Sequence, residues 1–135
     1  MGKNKSVSRK RKFRSDFEIN FYKKLLERKP DFADALHALG NAYTRRGLYE
    51  EGLEIDRQLS IIKPDDPIVF YNLACSYSLV GKIDEALRCL KKAVILDYDD
   101  FSYMEEDPDL ENVRRDPRYK DFREKLIKII QQEKG

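Results

Sequence analysis

Residues 39–66 read LGNAYTRRGLYEEGLEIDRQLSIIKPDD, and residues 73–100 read LACSYSLVGKIDEALRCLKKAVILDYDD. Laid over each other at an offset of 34, they agree in chemistry along their length. Leu39 falls on Leu73, Gly40 on Ala74, Tyr43 on Tyr77 and Gly47 on Gly81. Glu51 falls on Glu85, Gly52 on Ala86, Leu53 on Leu87, Leu59 on Ala93 and Ile62 on Leu96. Upstream, Leu25, Pro30 and Asp31 meet Leu59, Pro64 and Asp65. Self-similarity at a fixed period marks a chain built of stacked units, each burying its apolar face against the next.

Each unit reads as two helices. Residues 33–46 and 67–80 place apolar side chains at three- and four-residue steps, and the next helix follows within a few residues, at about 49–62 and 83–96. Gly47 and Gly81 stand where a helix ends in the left-handed conformation. Pro64 and Pro67 bound the linker between units. Gly40 and Gly52 in one unit, and Ala74 and Ala86 in the next, are the small residues that let paired helices approach. Tyr43 and Tyr77 fill the space between pairs.

These residues resemble the tetratricopeptide repeat. The family pattern is Leu-Gly/Ala, Tyr, Gly, a small residue, an aromatic, Ala and Pro, and Leu39, Gly40, Tyr43, Gly47, Gly52 and Pro64 match it in the first repeat. It is met again by Leu73, Ala74, Tyr77, Gly81, Ala86 and Ala93, with Phe70 at the bulky start. The resemblance implies an all-α fold: a helix-turn-helix solenoid, wound as a right-handed superhelix, with a C-terminal capping helix. It divides the chain into a half repeat (16–32, a single helix), a first repeat (33–66), a second (67–100), and an acidic linker, degenerate repeat and capping helix over 101–135. Two positions depart from the pattern. Tyr98 replaces the linker proline, and Asp56 occupies an aromatic core position whose counterpart is Leu90. A buried carboxylate without a partner is costly. The expectation is therefore a slight helix rotation that packs Ile55 and Leu59 and turns Asp56 to solvent, in place of a built polar contact.

The chain has 135 residues, 39% of them charged, and a net charge of +2. That balance is uneven. Lys3, Lys5, Arg9, Lys10, Arg11, Lys12 and Arg14 give residues 1–15 seven cations and no acid, leaving a body of −5. A cationic stretch with few apolar residues cannot offset its ordering entropy, so 1–15 is expected to be a disordered tail. Arg9, Lys10, Arg11, Lys12 and Arg14 are its candidate nucleic-acid contacts, through counterion release. Met1-Gly2-Lys3-Asn4-Lys5-Ser6 also fits a short myristoylation pattern that matches readily by chance, and no membrane partner is expected. Next in sequence, Phe13, Phe17, Phe21 and Leu25 form one apolar ladder, and Ile19, Tyr22 and Leu26 a second. Together they exceed the single face an edge helix buries. Either the tail folds back over Phe13, Phe17 and Phe21 or a partner does, making them a candidate self-association edge.

At the other end, DPDLENVRRDPRYKDF (residues 107–122) resembles an ending found on many proteins of this repeat family. Asp109–Arg115 reads as a short helix, and Pro117 opens a last one with Tyr119, Phe122, Leu126, Ile129 and Ile130 on its apolar stripe. Such a helix caps an open solenoid end. The acids of 97–111 lack the glycine and ligand spacing of a calcium loop.

Catalytic chemistry is missing from the sequence. There is one histidine, His37, with no nucleophile motif beside it, no glycine-rich phosphate loop, and no Cys/His spacing for a metal. The two cysteines have no CxxC spacing and are expected as reduced thiols. An enzyme, a cofactor and a metal are not expected. The resemblance instead implies a concave groove lined by the first helix of each repeat: Asp34, His37, Asn41, Thr44 and Arg45, then Ile68, Tyr71, Asn72, Cys75, Ser78 and Leu79. Such a surface suits an extended peptide or a helix of another protein. Some relatives grip a chaperone's C-terminal carboxylate there. Asn41 and Asn72 fit two of the five positions, but His37 replaces a lysine and Ser102 and Glu106 replace the last cationic pair, which argues against that ligand. The expected function is a non-catalytic cytoplasmic scaffold or adaptor that binds another protein. The alternatives are a nucleic-acid- or ribosome-associated adaptor held by the basic tail, and a homodimer formed through the N-terminal aromatic helix.

Overall fold

The computed structural model describes the backbone of residues 2–134 and the side chains of residues 9–133. Among these residues it contains helices and turns and no strand. The helices are α1 (Gly2–Arg28), α2 (Ala33–Arg46), α3 (Tyr49–Ile62), α4 (Pro67–Leu79), α5 (Ile83–Ile95), α6 (Phe101–Glu106), α7 (Glu111–Arg115) and α8 (Pro117–Lys134), with a 3-10 turn at Pro108–Leu110 between α6 and α7. Consecutive helices pack on one another from α1 to α5, as a solenoid requires.

Local signals place the helix ends. Gly47 has φ 84° and Gly81 has φ 81°. After each of them the next N–H reaches back into the helix, Leu48 to the Tyr43 carbonyl and Lys82 to the Tyr77 carbonyl, both at 2.9 Å. Asp66 caps α4 by accepting from the Ile68 N–H at 2.9 Å, with Pro67 in the first turn. The end of α5 uses the same left-handed geometry without a glycine, at Asp97 with φ 79°.

The small residues are buried where the paired helices approach: Gly40, Gly52, Ala74 and Ala86. A side chain on Gly52 would stand 3.1 Å from Thr44 Oγ1 and 3.5 Å from the Gly40 carbonyl, so α2 and α3 touch almost backbone to backbone. Three apolar clusters follow. Ile19, Tyr22 and Leu26 of α1 pack on Leu39, Ala42, Tyr43 and Ile55. Leu36, Leu59 and Val69 join the first repeat to the second. The largest cluster runs from Tyr71, Ala74, Ala86 and Leu90 through Tyr98, Met104, Leu110 and Val113 to Tyr119, Phe122 and Leu126.

Three expectations are corrected. The cationic segment, expected as a disordered tail, is helical in the structure, where α1 spans Gly2–Arg28, although the side chains of Lys3 and Lys5 lie outside the described residues. Docking of Ser15, Ile19 and Tyr22, with ion pairs from Asp16 to Arg46 and from Glu18 to Arg45, fixes the later turns of α1. A helix so nucleated extends at little cost per residue. The acidic stretch after Asp100 is not a linker. Met104, Leu110 and Val113 anchor it as a broken helix in the main core. Asp56 does not reach solvent. It is 8% exposed and accepts from the Ser76 hydroxyl at 2.5 Å.

Candidate functional site

Surface residues from the first helix of each repeat meet in a hollow of about 120 Å³ between α2, the end of α3 and the start of α4. Asp34 and His37 form one wall. Ile68 and Asp66 form the other, with Lys63 at the rim and Leu59 and Val69 beneath. Helical spacing sets His37 and Asn41 one turn apart on α2, and the Asn41 amide lies 3.3 Å from His37 Nε2. Asp34, Asn41 and Ile68 are exposed to differing degrees, and His37 is half-buried. The hollow thus offers an apolar side chain at Ile68, an amide and imidazole on one wall, and charge of both signs. Thr44 is turned inward, its hydroxyl donating to the Gly40 carbonyl at 3.1 Å. Arg45 is exposed but committed to Glu18 of α1.

The second repeat departs from the expected open groove. Tyr71, Cys75 and Ser78 are buried by the chain's own C-terminal segment. The Tyr71 ring stacks on Tyr98, centroids 4.3 Å apart and planes within 4°. Its hydroxyl donates to Asp107 Oδ2 at 2.7 Å, and Cys75 Sγ lies 3.7 Å from the same oxygen. Asp107 Oδ1 accepts from the Asp109 N–H at 3.0 Å. Ser78 Oγ accepts from the Val113 N–H, and the Ser78 carbonyl accepts from the Asn112 amide. Burial pushes the Tyr71 hydroxyl and the Cys75 thiol well up, reinforced at Tyr71 by Cys75 and then Asp107 and at Cys75 by Asp107, so both stay protonated and serve as donors. Asn72 and Leu79 are half-buried. Sequence reasoning missed Tyr98 and Asp107 as the residues that close this half. The one signal was that Tyr98 breaks the repeat pattern where a proline belongs.

A larger hollow of about 630 Å³ lies between α5 and α8. Leu87, Val94, Ile95, Phe122 and Leu126 line it, and Ile129 stands at its edge. Arg118 pairs with Asp84 across it, and Lys125 pairs with Asp121 along α8. The sequence reading did not anticipate it.

The N-terminal candidates share one helix. Arg9, Lys10, Arg11, Lys12 and Arg14 are exposed along α1. Phe13, Phe17 and Phe21 are 75%, 64% and 50% exposed, with none of the described residues folded back over them. Among the described residues no cluster of three or more His, Cys, Asp or Glu is placed to hold a metal ion. No described helix is long and apolar enough to cross a membrane.

Comparison with known proteins agrees with this geometry. Family models of the tetratricopeptide repeat match residues 21–56 and residues 68–100. The chain is 35% identical over 95 residues to a chloroplastic protein of Arabidopsis thaliana, an alignment covering 65% of this chain and 28% of that protein. It is 32% identical over 87 residues to Tetratricopeptide repeat protein 13 of Homo sapiens, covering 60% of this chain and 10% of that one. The chain therefore spans well under half the length of either relative. Its helix pairs, its 34-residue period and both family matches place it in one class: the chain belongs to the tetratricopeptide repeat family and is a protein–protein interaction module.

Proposed function

We propose that the protein binds a short peptide or helix of a partner protein along the exposed face of α2 and the start of α4, as a scaffold without bond-making chemistry. The observation that carries this reading is the meeting of Asp34 and His37 with Ile68 around one hollow, drawn from two adjoining repeats. Asn41 extends the polar wall by one turn. Backbone amides of an extended guest can pair with such side chains while one apolar side chain enters beside Ile68. The reading is narrower than the groove expected from sequence, because the Tyr71–Ser78 half is covered by Tyr98, Asp107 and Val113.

Peptide selection against the full chain tests it. Selected peptides should lose affinity by about tenfold or more when His37→Ala and Asn41→Ala are combined. Peptides indifferent to that pair but weakened by substitutions elsewhere would refute the assignment.

A further inference from the structure

We propose that the outward face of α1 docks on an anionic lipid surface, with Phe13, Phe17 and Phe21 entering the headgroup layer and Lys10, Arg14 and Lys24 meeting its charge. The inference does not rest on the α2 hollow. The body-facing side of α1 is Ile19, Tyr22 and Leu26, so docking by the opposite side leaves that hollow open.

The structure joins two features that the sequence keeps apart. A disordered cationic tail and an aromatic ladder would be separate elements, but one continuous helix makes them a single face. Phe13, Phe17 and Phe21 repeat at four-residue steps and line up along it. Lys10 stands three residues before Phe13, Arg14 three before Phe17, and Lys24 three after Phe21, so these cations share the phenylalanine side. All three are exposed. Asp16 and Glu18, the acids nearest the ladder, are committed to Arg46 and Arg45. With the exposed Glu27, three residues after Lys24, set against Lys10, Arg14 and Lys24, the outward charge stays positive. Exposure of the rings rises from 50% to 75% away from the body.

A convex apolar line between cations fits a plane. Lysine and arginine stems can lie along the apolar layer while their heads reach phosphate. Other occupants fit less well. A second copy in a symmetric pair would set Lys10, Arg14 and Lys24 against their own kind. A nucleic acid offers phosphates to the cations but little apolar space to the rings, whose nearest pair, Phe17 and Phe21, is stacked within 11° on the helix surface.

The test is flotation of the full chain with vesicles of phosphatidylcholine alone, or with about one part in three phosphatidylserine. Binding to the anionic vesicles is expected to exceed that to neutral ones by about tenfold or more, and to fall by a similar factor between about 0.05 and about 0.5 M salt. Phe13→Ser with Phe17→Ser, and Lys10→Glu with Arg14→Glu, should each lose about tenfold. Phe17→Leu should retain binding, and circular dichroism should show each variant as helical as the parent. Equal binding to both vesicle types, or serine variants that bind like the parent, would overturn the proposal. So would an RNA duplex bound more tightly than the vesicles, or a dimer in sedimentation that Phe17→Ser dissolves.

Discussion

The Ser76 hydroxyl donates to Asp56 Oδ2 at 2.5 Å, joining the second helix of one repeat to the first helix of the next. Both residues are buried. On its other side the Asp56 carboxylate faces Gly40, where an added Cβ would stand 2.6 Å from Oδ1. Three residues from three helices thus form one buried polar joint between the two repeats. Burial pushes the Asp56 carboxyl up to about 7, and the Ser76 bond opposes that rise only in part.

The joint makes stability pH-dependent. The folded chain holds the Asp56 proton more tightly than the unfolded chain, whose carboxyl has the ordinary value of 3.8. The contribution to stability is therefore complete below about pH 4 and is lost as pH rises towards 7. The loss is on the order of 4 kcal/mol for a shift of about three units. Urea unfolding of Asp56→Asn should lack this slope between about pH 4 and pH 8. An Asn variant with the parent's slope would show that Asp56 does not carry it.

Gly40→Ala should change sign with its neighbour. Replacing a mid-helix glycine with alanine normally gains about 1 kcal/mol. Here the methyl group must displace a buried carboxylate and break its bond to Ser76, which costs about 1–3 kcal/mol. The single substitution should destabilise. In an Asp56→Ala background the same substitution should stabilise by about 1 kcal/mol. Chemical denaturation of the four chains measures the coupling, and simple additivity would remove Asp56 as the reason for the glycine.

Closure of the second repeat depends on Tyr71 and Asp107. Tyr71→Phe keeps the stack on Tyr98 but removes a hydroxyl donor from a buried carboxylate. The expected cost is about 1.5–3 kcal/mol. Reactivity of Cys75 toward an aromatic disulfide should rise in parallel as the 107–113 segment loosens. A stability change under about 0.5 kcal/mol would mean that the apolar anchors Met104, Leu110 and Val113 hold the segment without it.

The parts of the fold that were legible were those fixed by spacing along one chain segment. Gly47 and Gly81 end α2 and α4 in the expected left-handed geometry, and Gly40, Ala74 and Ala86 sit at close helix approaches as the period implied. What spacing could not give was the identity of a residue's distant neighbour. Asp56 stays inside because Ser76, twenty residues later, supplies a hydroxyl and Gly40 leaves room. Tyr71 is closed off by Asp107, 36 residues on. Asp34, His37 and Ile68 were named from the resemblance, but their meeting around one hollow depends on how α2 and α4 stack. The course of α1 was missed for a different reason. Composition measures the entropy of a free segment, and residues 9–14 are not free once the turns after them are docked.

Asp97 ends α5 with φ 79°, a conformation that glycine adopts without the strain of a Cβ. Asp97→Gly should raise stability by about 0.5–1 kcal/mol, the relief of strain being partly offset by the greater freedom of the unfolded chain. A thermal melt checks this. A loss of stability would mean that the Asp97 carboxylate makes a contribution larger than the backbone strain.

Amide chemical-shift mapping of the full chain with a selected peptide tests the central claim most directly. The account predicts perturbations gathered on Asp34, His37, Asn41 and Ile68, with the Tyr71–Ser78 stretch of α4 unmoved. Perturbations confined to Leu87, Ile95, Phe122 and Ile129, around the hollow between α5 and α8, would contradict it.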